Sequence, residues 1–123
     1  MKATRPLEHV CFFPTSIPTQ EEDAYVFVSI DAFSGYAFNT GIESDDSPDN
    51  IIKHIYLLTE HPDFLIHIHN GFTLVLHKYK ELEPKINNII QPINGKVIFD
   101  PQYVNKMMMP VLKDMFRHIQ KQK

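Results

Sequence analysis

Val28-Ser29-Ile30-Asp31-Ala32-Phe33-Ser34-Gly35-Tyr36-Ala37-Phe38 is the stretch on which the reading of this chain turns. It closes a strand, makes a turn and opens another strand. From Ala24 to Asp31 the residues are β-branched and aromatic, with Val26, Val28 and Ile30 on one face and Tyr25 and Phe27 on the other. That content suits a strand covered on both sides. Phe33-Ser34-Gly35 turns the chain, and Tyr36 to Ile42 reads as the returning strand of a hairpin. Upstream, His9 to Phe13 is a short apolar strand. Pro14-Thr15-Ser16-Ile17-Pro18 is expected to end it, because proline cannot donate to a central ladder.

Downstream, Glu43 to Asp49 is polar and acidic and ends in a helix start. Ser47 can cap, Pro48 suits the first helical position, and Asp49 favours the positive helix end. Ile51, Ile52, Ile55, Tyr56 and Leu58 recur at helical spacing, which predicts a helix from Pro48 to about Glu60. After the break at His61-Pro62-Asp63, the runs Phe64–His69 and Phe72–His77 flank Asn70-Gly71. They read as a hairpin with a type I′ turn, the second run being the stronger strand. Glu83-Pro84 opens a helix carrying Ile86, Ile89 and Ile90, and Lys96-Val97-Ile98-Phe99 is a short buried strand. Asp100-Pro101 starts a last helix, which Pro110 should kink or split. Three antiparallel strands followed by a strand-helix-strand crossover imply an α/β domain over residues 1–123, with helices packed on a mixed five-stranded sheet.

The bulk composition narrows the function. The 123 residues are 43% hydrophobic and 22% charged, with a net charge of -3. That balance gives no support to nucleic-acid binding, which usually shows a basic excess. No apolar stretch approaches a membrane span, and the first residues lack a signal peptide's apolar core. The lone cysteine, Cys11, lies in the apolar run Val10–Phe13 and reads as a core residue. One thiol forms no intrachain disulfide, so a reducing compartment, the cytoplasm, is expected.

The element order, with Val28-Ser29-Ile30-Asp31-Ala32-Phe33-Ser34-Gly35-Tyr36, resembles the ribonuclease-H-like core of retroviral integrases and insertion-sequence transposases. In that superfamily a hydrophobic strand ends in an Asp-x-Phe-Ser turn that leads into the third strand. The resemblance implies a ribonuclease-H-like fold. It also implies three carboxylates that hold two divalent metals: on the first strand, at the end of the fourth, and on the last helix.

At those three places the sequence offers other residues. The first strand runs through Phe13 and Pro14. The fourth strand ends at His69 if it is Phe64–His69, where His67-Ile68-His69-Asn70-Gly71 resembles the family's His-Thr-Asp-Asn-Gly, and at His77 if it is Phe72–His77. Pro101-Gln102 resembles the family's Pro-Gln segment and puts the last position at Met107 or Met108. Phe, His and Met do not hold a Mg²⁺ pair. Glu8 and Asp114 are the nearby acids, neither well placed, and Asp31 is assigned to the turn.

Other constellations are weaker. His67 and His69 with His9 could bind Zn²⁺ or Ni²⁺, with His77 on the opposite face of the expected hairpin. Of Met107-Met108-Met109, two are expected in the core and one exposed. Lys113, Arg117, Lys121 and Lys123 could touch phosphates, but a solvated helix end is the simpler account. The four glycines are not clustered, so no phosphate loop is present. The expectation is a non-catalytic, integrase-core-like binding or accessory module with no cofactor and no metal. Tyr36–Ile42, an edge strand without Lys or Pro, favours a homodimer. The alternatives are a His-based metal site on the same scaffold and a weak nucleic-acid binder. The small-molecule ligand, if the protein has one, is not legible.

Overall fold

The Ala24–Asp31 strand (β2) lies between two antiparallel neighbours. One is β1 (His9–Ile17), paired from Val10↔Asp31 to Ile17↔Ala24. The other is β3 (Ala37–Glu43), paired from Tyr25↔Glu43 to Ile30↔Ala37. The structure, a computed structural model, describes residues 2–17, 24–68 and 71–121, and the side chains of Ile17, His67 and residues 115–121 lie outside that description. Two further strands, β4 (Phe72–Leu76) and β5 (Gly95–Phe99), run parallel to β1, giving the order β3-β2-β1-β4-β5. Three antiparallel strands followed by a parallel strand-helix-strand unit form the ribonuclease-H-like arrangement that the sequence pattern predicts.

Helices cover both faces. On one side lie α1 (Pro48–Thr59), α2 (Pro62–His67) and α3 (Glu83–Ile90). Ile51, Ile55, Leu58, Phe64, Ile86 and Ile90 from these helices pack with Val10, Phe12, Phe27, Leu74 and Leu76. On the other side α4 (Pro101–Lys121) lays Val104, with Tyr103, Met107, Met108 and Val111, against Cys11, Phe13, Val28, Ile30 and Val75. The two clusters follow from strand alternation, which sends successive side chains to opposite faces.

The starts of α1, α3 and α4 are where the sequence places them. Ser47 Oγ accepts from the Asn50 N–H at 3.4 Å, with Pro48 in the first turn of α1. Asp100 Oδ1 accepts from the Tyr103 N–H at 3.1 Å at the start of α4. Pro110 does not split α4, which continues through it to Lys121.

Two expectations are corrected. Pro14 does not end β1. The strand pairs with β4 only from His9 to Phe12, whereas its pairing with β2 continues to Ile17. Beyond Phe12 the β4 side of β1 is therefore an open edge, where proline's missing N–H removes no ladder bond. The second correction concerns the hairpin around Asn70-Gly71. Residues Pro62–His67 are helical, with His61 Nδ1 accepting from the Asp63 N–H at 3.3 Å and Pro62 in the first turn. The turn chemistry of His61-Pro62-Asp63 thus wins over the strand propensity of the run behind it, and Phe64 is buried against Phe72. Gly71 has φ +84°, and a Cβ there would lie 2.7 Å from the Asn94 carbonyl oxygen, so the glycine serves close packing at the entrance to β4.

Candidate functional site

The superfamily's chemistry would sit between β1, the end of β4 and α4, on the α4 side of the sheet. Phe13 follows Phe12, which pairs with Leu76, the last residue of β4. Phe13 is fully buried and shares the α4-side cluster with Cys11 and Val75, whereas Pro14 has the opposite strand parity. Met107 and Met108 are half-buried and pack on that same cluster, and Met109 is 52% exposed. The division of the three methionines is as expected. Cys11 lies beneath them, and burial, with Asp100 nearby, pushes its thiol up to about 12. It is a protonated core residue rather than a nucleophile.

With β4 ending at Leu76, the residue at the end of the fourth strand is His77. His69 lies outside the described residues. Burial lowers the His77 pKa, and its Nδ1 is buried with no hydrogen-bond partner among the described residues. His67 is the last residue of α2 rather than part of a strand, so the hairpin that placed His67 and His77 on opposite faces is replaced by a helix and a strand. His9 Nδ1 lies 3.2 Å from the Tyr103 hydroxyl. Among the described residues no group of three His, Cys, Asp or Glu is placed to hold a metal ion.

Of the acids considered as replacements, Glu8 is engaged by the N-terminal segment and Asp114 is exposed. Glu8 accepts from the Thr4 N–H at 2.8 Å and lies 3.8 Å from Arg5 Nε. The Thr4 amide above all holds its carboxyl below the usual range. Asp114 is exposed on α4, as is Lys113. The side chains of Arg117 and Lys121, and all of Lys123, lie outside the described residues. Asp31 is indeed a turn residue: its Oδ1 accepts from the Phe33 N–H at 3.1 Å and its Oδ2 from the Ser34 hydroxyl at 2.7 Å.

No protein-family model matches this chain, and no curated protein matches it. Among solved structures, a chain in the cryo-EM structure of the simian T-cell lymphotropic virus intasome, in complex with PP2A regulatory subunit B56 gamma, has a similar fold. The TM-score is 0.71 at 8% identity, over 98% of this chain and 44% of the viral one. At that identity the likeness is one of fold. The present chain spans less than half the length of the viral chain.

Two features escaped the sequence reading. Asp31 Oδ1 also accepts from the Leu7 N–H at 3.0 Å, which ties the N-terminal segment to the β2–β3 turn across 24 residues. The second is a polar cluster on the opposite face of the sheet from α4. His54 of α1 is buried and stacks on Phe27, with ring centroids 4.0 Å apart. Its Nδ1 is 2.7 Å from Thr40 Oγ1, and its Nε2 is 3.5 Å from Glu43 Oε1, which takes a hydrogen bond from Lys53 Nζ at 2.7 Å. Thr40 is the bulged residue of β3, since Gly41 pairs with Phe27 and Asn39 with Val28. The bulge aims its hydroxyl at the helix. No local pattern announces either contact, because each joins elements through the tertiary fold.

Proposed function

We propose that this chain is a non-catalytic, integrase-core-like domain that works as a binding or accessory module. The observation that supports this most is the filling of the α4 face, where Phe13, Met107 and Met108 join an apolar cluster at the level where the superfamily would need carboxylates. Two-metal phosphoryl transfer needs several negative oxygens to hold two divalent cations about 4 Å apart. The apolar side chains of that cluster supply none, and the neutral His77 at the end of β4 cannot neutralise a Mg²⁺ pair. The viral chain of like fold belongs to an assembly with a phosphatase regulatory subunit, which accords with a fold that takes part in protein complexes.

Self-association through β3 belongs to the same proposal. β3 is a sheet edge, its residues Ala37–Glu43 include no Lys and no Pro, and Tyr36 and Ile42 beside and within it are exposed. The single buried thiol suits a reducing compartment, and on that ground we place the domain in the cytoplasm.

The test is incubation of the purified protein with single-stranded DNA, double-stranded DNA and an RNA–DNA hybrid, in Mg²⁺ and separately in Mn²⁺. The expected result is no cleavage and no strand transfer above background. Metal-dependent cleavage that disappears in Glu8→Ala or Asp114→Ala would overturn the proposal, because the acids would then have migrated rather than vanished.

A further inference from the structure

The β2–β3 turn forms one wall of a cavity of about 660 Å³, in the range of small-ligand sites. Leu7, Tyr36 and Phe38 supply apolar surface, and Asp31, Ser34 and Asp63 supply the polar groups. The described lining holds two carboxylates and no cationic side chain.

The walls are held before any ligand arrives. Asp31 is 3% exposed, and its carboxylate takes three hydrogen bonds, from the Leu7 and Phe33 amides and the Ser34 hydroxyl. Leu7 sits at φ 57°, a left-handed conformation that is costly for a branched side chain, and its own side chain is buried in the core. Such a backbone persists only where its surroundings over-determine it, here through the Asp31 bond and the buried leucine. A carboxylate offers about four acceptor positions, so Asp31 keeps about one for a further donor. The Tyr36 and Phe38 rings meet edge to face at 4.9 Å, and Tyr36 stands 55% exposed.

We propose that this cavity binds an organic cation with an apolar stem: a guanidinium or ammonium group at the end of an alkyl chain. The stem would lie against Leu7 and Phe38. The charged head would be attracted by the Asp31 and Asp63 carboxylates and by the Tyr36 ring face. An anion would meet two negative charges, and a neutral ligand would leave both carboxylates without a counter-charge. The site stands whether or not the α4 face is catalytic.

The test is a chemical-shift titration of the full chain with n-pentylguanidinium, with pentan-1-ol as the neutral control and hexanoate as the anionic one. The cation is expected to shift the Leu7, Tyr36 and Phe38 amides and to bind at least about 5-fold more tightly than the alcohol, with hexanoate weakest. Asp63 and Tyr36 are exposed, so Asp63→Asn and Tyr36→Leu leave the core intact. Each should weaken the cation about 2- to 5-fold, the range of an exposed ion pair or cation–π contact, and leave pentanol unchanged. A further arm uses a blocked Ala-Ala-Arg-Ala-Ala peptide. Binding as tight as the free guanidinium assigns the site to a partner's basic side chain, and weaker binding assigns it to a small molecule. Either accords with the cation site. Equal affinity for pentanol and the guanidinium in the unmodified protein, or no shift at these amides at millimolar ligand, would overturn it.

Discussion

His54 shows what a single buried residue does to this fold. Burial lowers its pKa below the usual 6.5, although the nearby Glu43 pulls the other way. The groups facing it are Thr40, Glu43 and Phe27 from the sheet and Lys53 from its own helix. A histidine with a depressed folded-state pKa favours the neutral ring in the native state. Its contribution is therefore full above the unfolded value of about 6.5 and is lost as the pH falls from there through the folded value. His77, also lowered by burial, acts in the same direction. Unfolding free energy measured from pH 7.5 to 5 should fall on the acid side. In His54→Leu the slope should be shallower, by no more than the roughly 1.4 kcal/mol per pH unit that one proton carries. Superimposable slopes for the two proteins would remove His54 from this account.

At the scale of elements, α1 shows how local chemistry and burial combine. Ser47, Pro48 and Asp49 start the helix, and Ile51, Ile55 and Leu58 then sink into the core. The Ser47 cap bond is long at 3.4 Å, so its loss belongs near the low end of the usual range. Ser47→Ala should lower the unfolding free energy by about 0.5–1 kcal/mol, and Ser47→Asn should restore most of it. Denaturant melts of the three proteins check this, and an Asn variant no better than Ala would mean that the cap contributes nothing. The helix over Pro62–His67 makes the opposite point. Residues Phe64–His69 have the composition of a strand, but a cap and a proline in front of them, and a place for Phe64 against Phe38 and Phe72, decide for helix up to His67.

For the whole molecule, the consequence of the sheet order is an open edge at β3. The bulge at Thr40 interrupts that edge, which is one of the ways proteins discourage pairing. Exposed Tyr36 and Ile42 flank it, and we expect the balance to favour a homodimer. Light scattering at tens of micromolar should give twice the 14.3 kDa chain mass, and Ile42→Lys should return the protein to monomer. A monomer mass for the unmodified chain at that concentration would rule out the edge pairing. Among the described residues, no helix is long and apolar enough to cross a membrane.

Strand β2, the hairpin turn at Asp31, the caps at Ser47 and Asp100 and the parallel unit ending in Phe99 were legible in the sequence, because periodicity and capping act over a few residues. The same local rules misread Pro14 and the Phe64–His69 run. Whether a strand is central or an edge, and whether a short apolar run is helix or strand, depends on which neighbours it meets. The end of the fourth strand at Leu76, just before His77, the burial of Phe13 in the cluster on which Met107 and Met108 pack, and the Asp31–Leu7 bond that shapes the cavity were decided only by tertiary structure. Each brings together residues far apart in the chain, and a one-dimensional pattern carries no record of that distance.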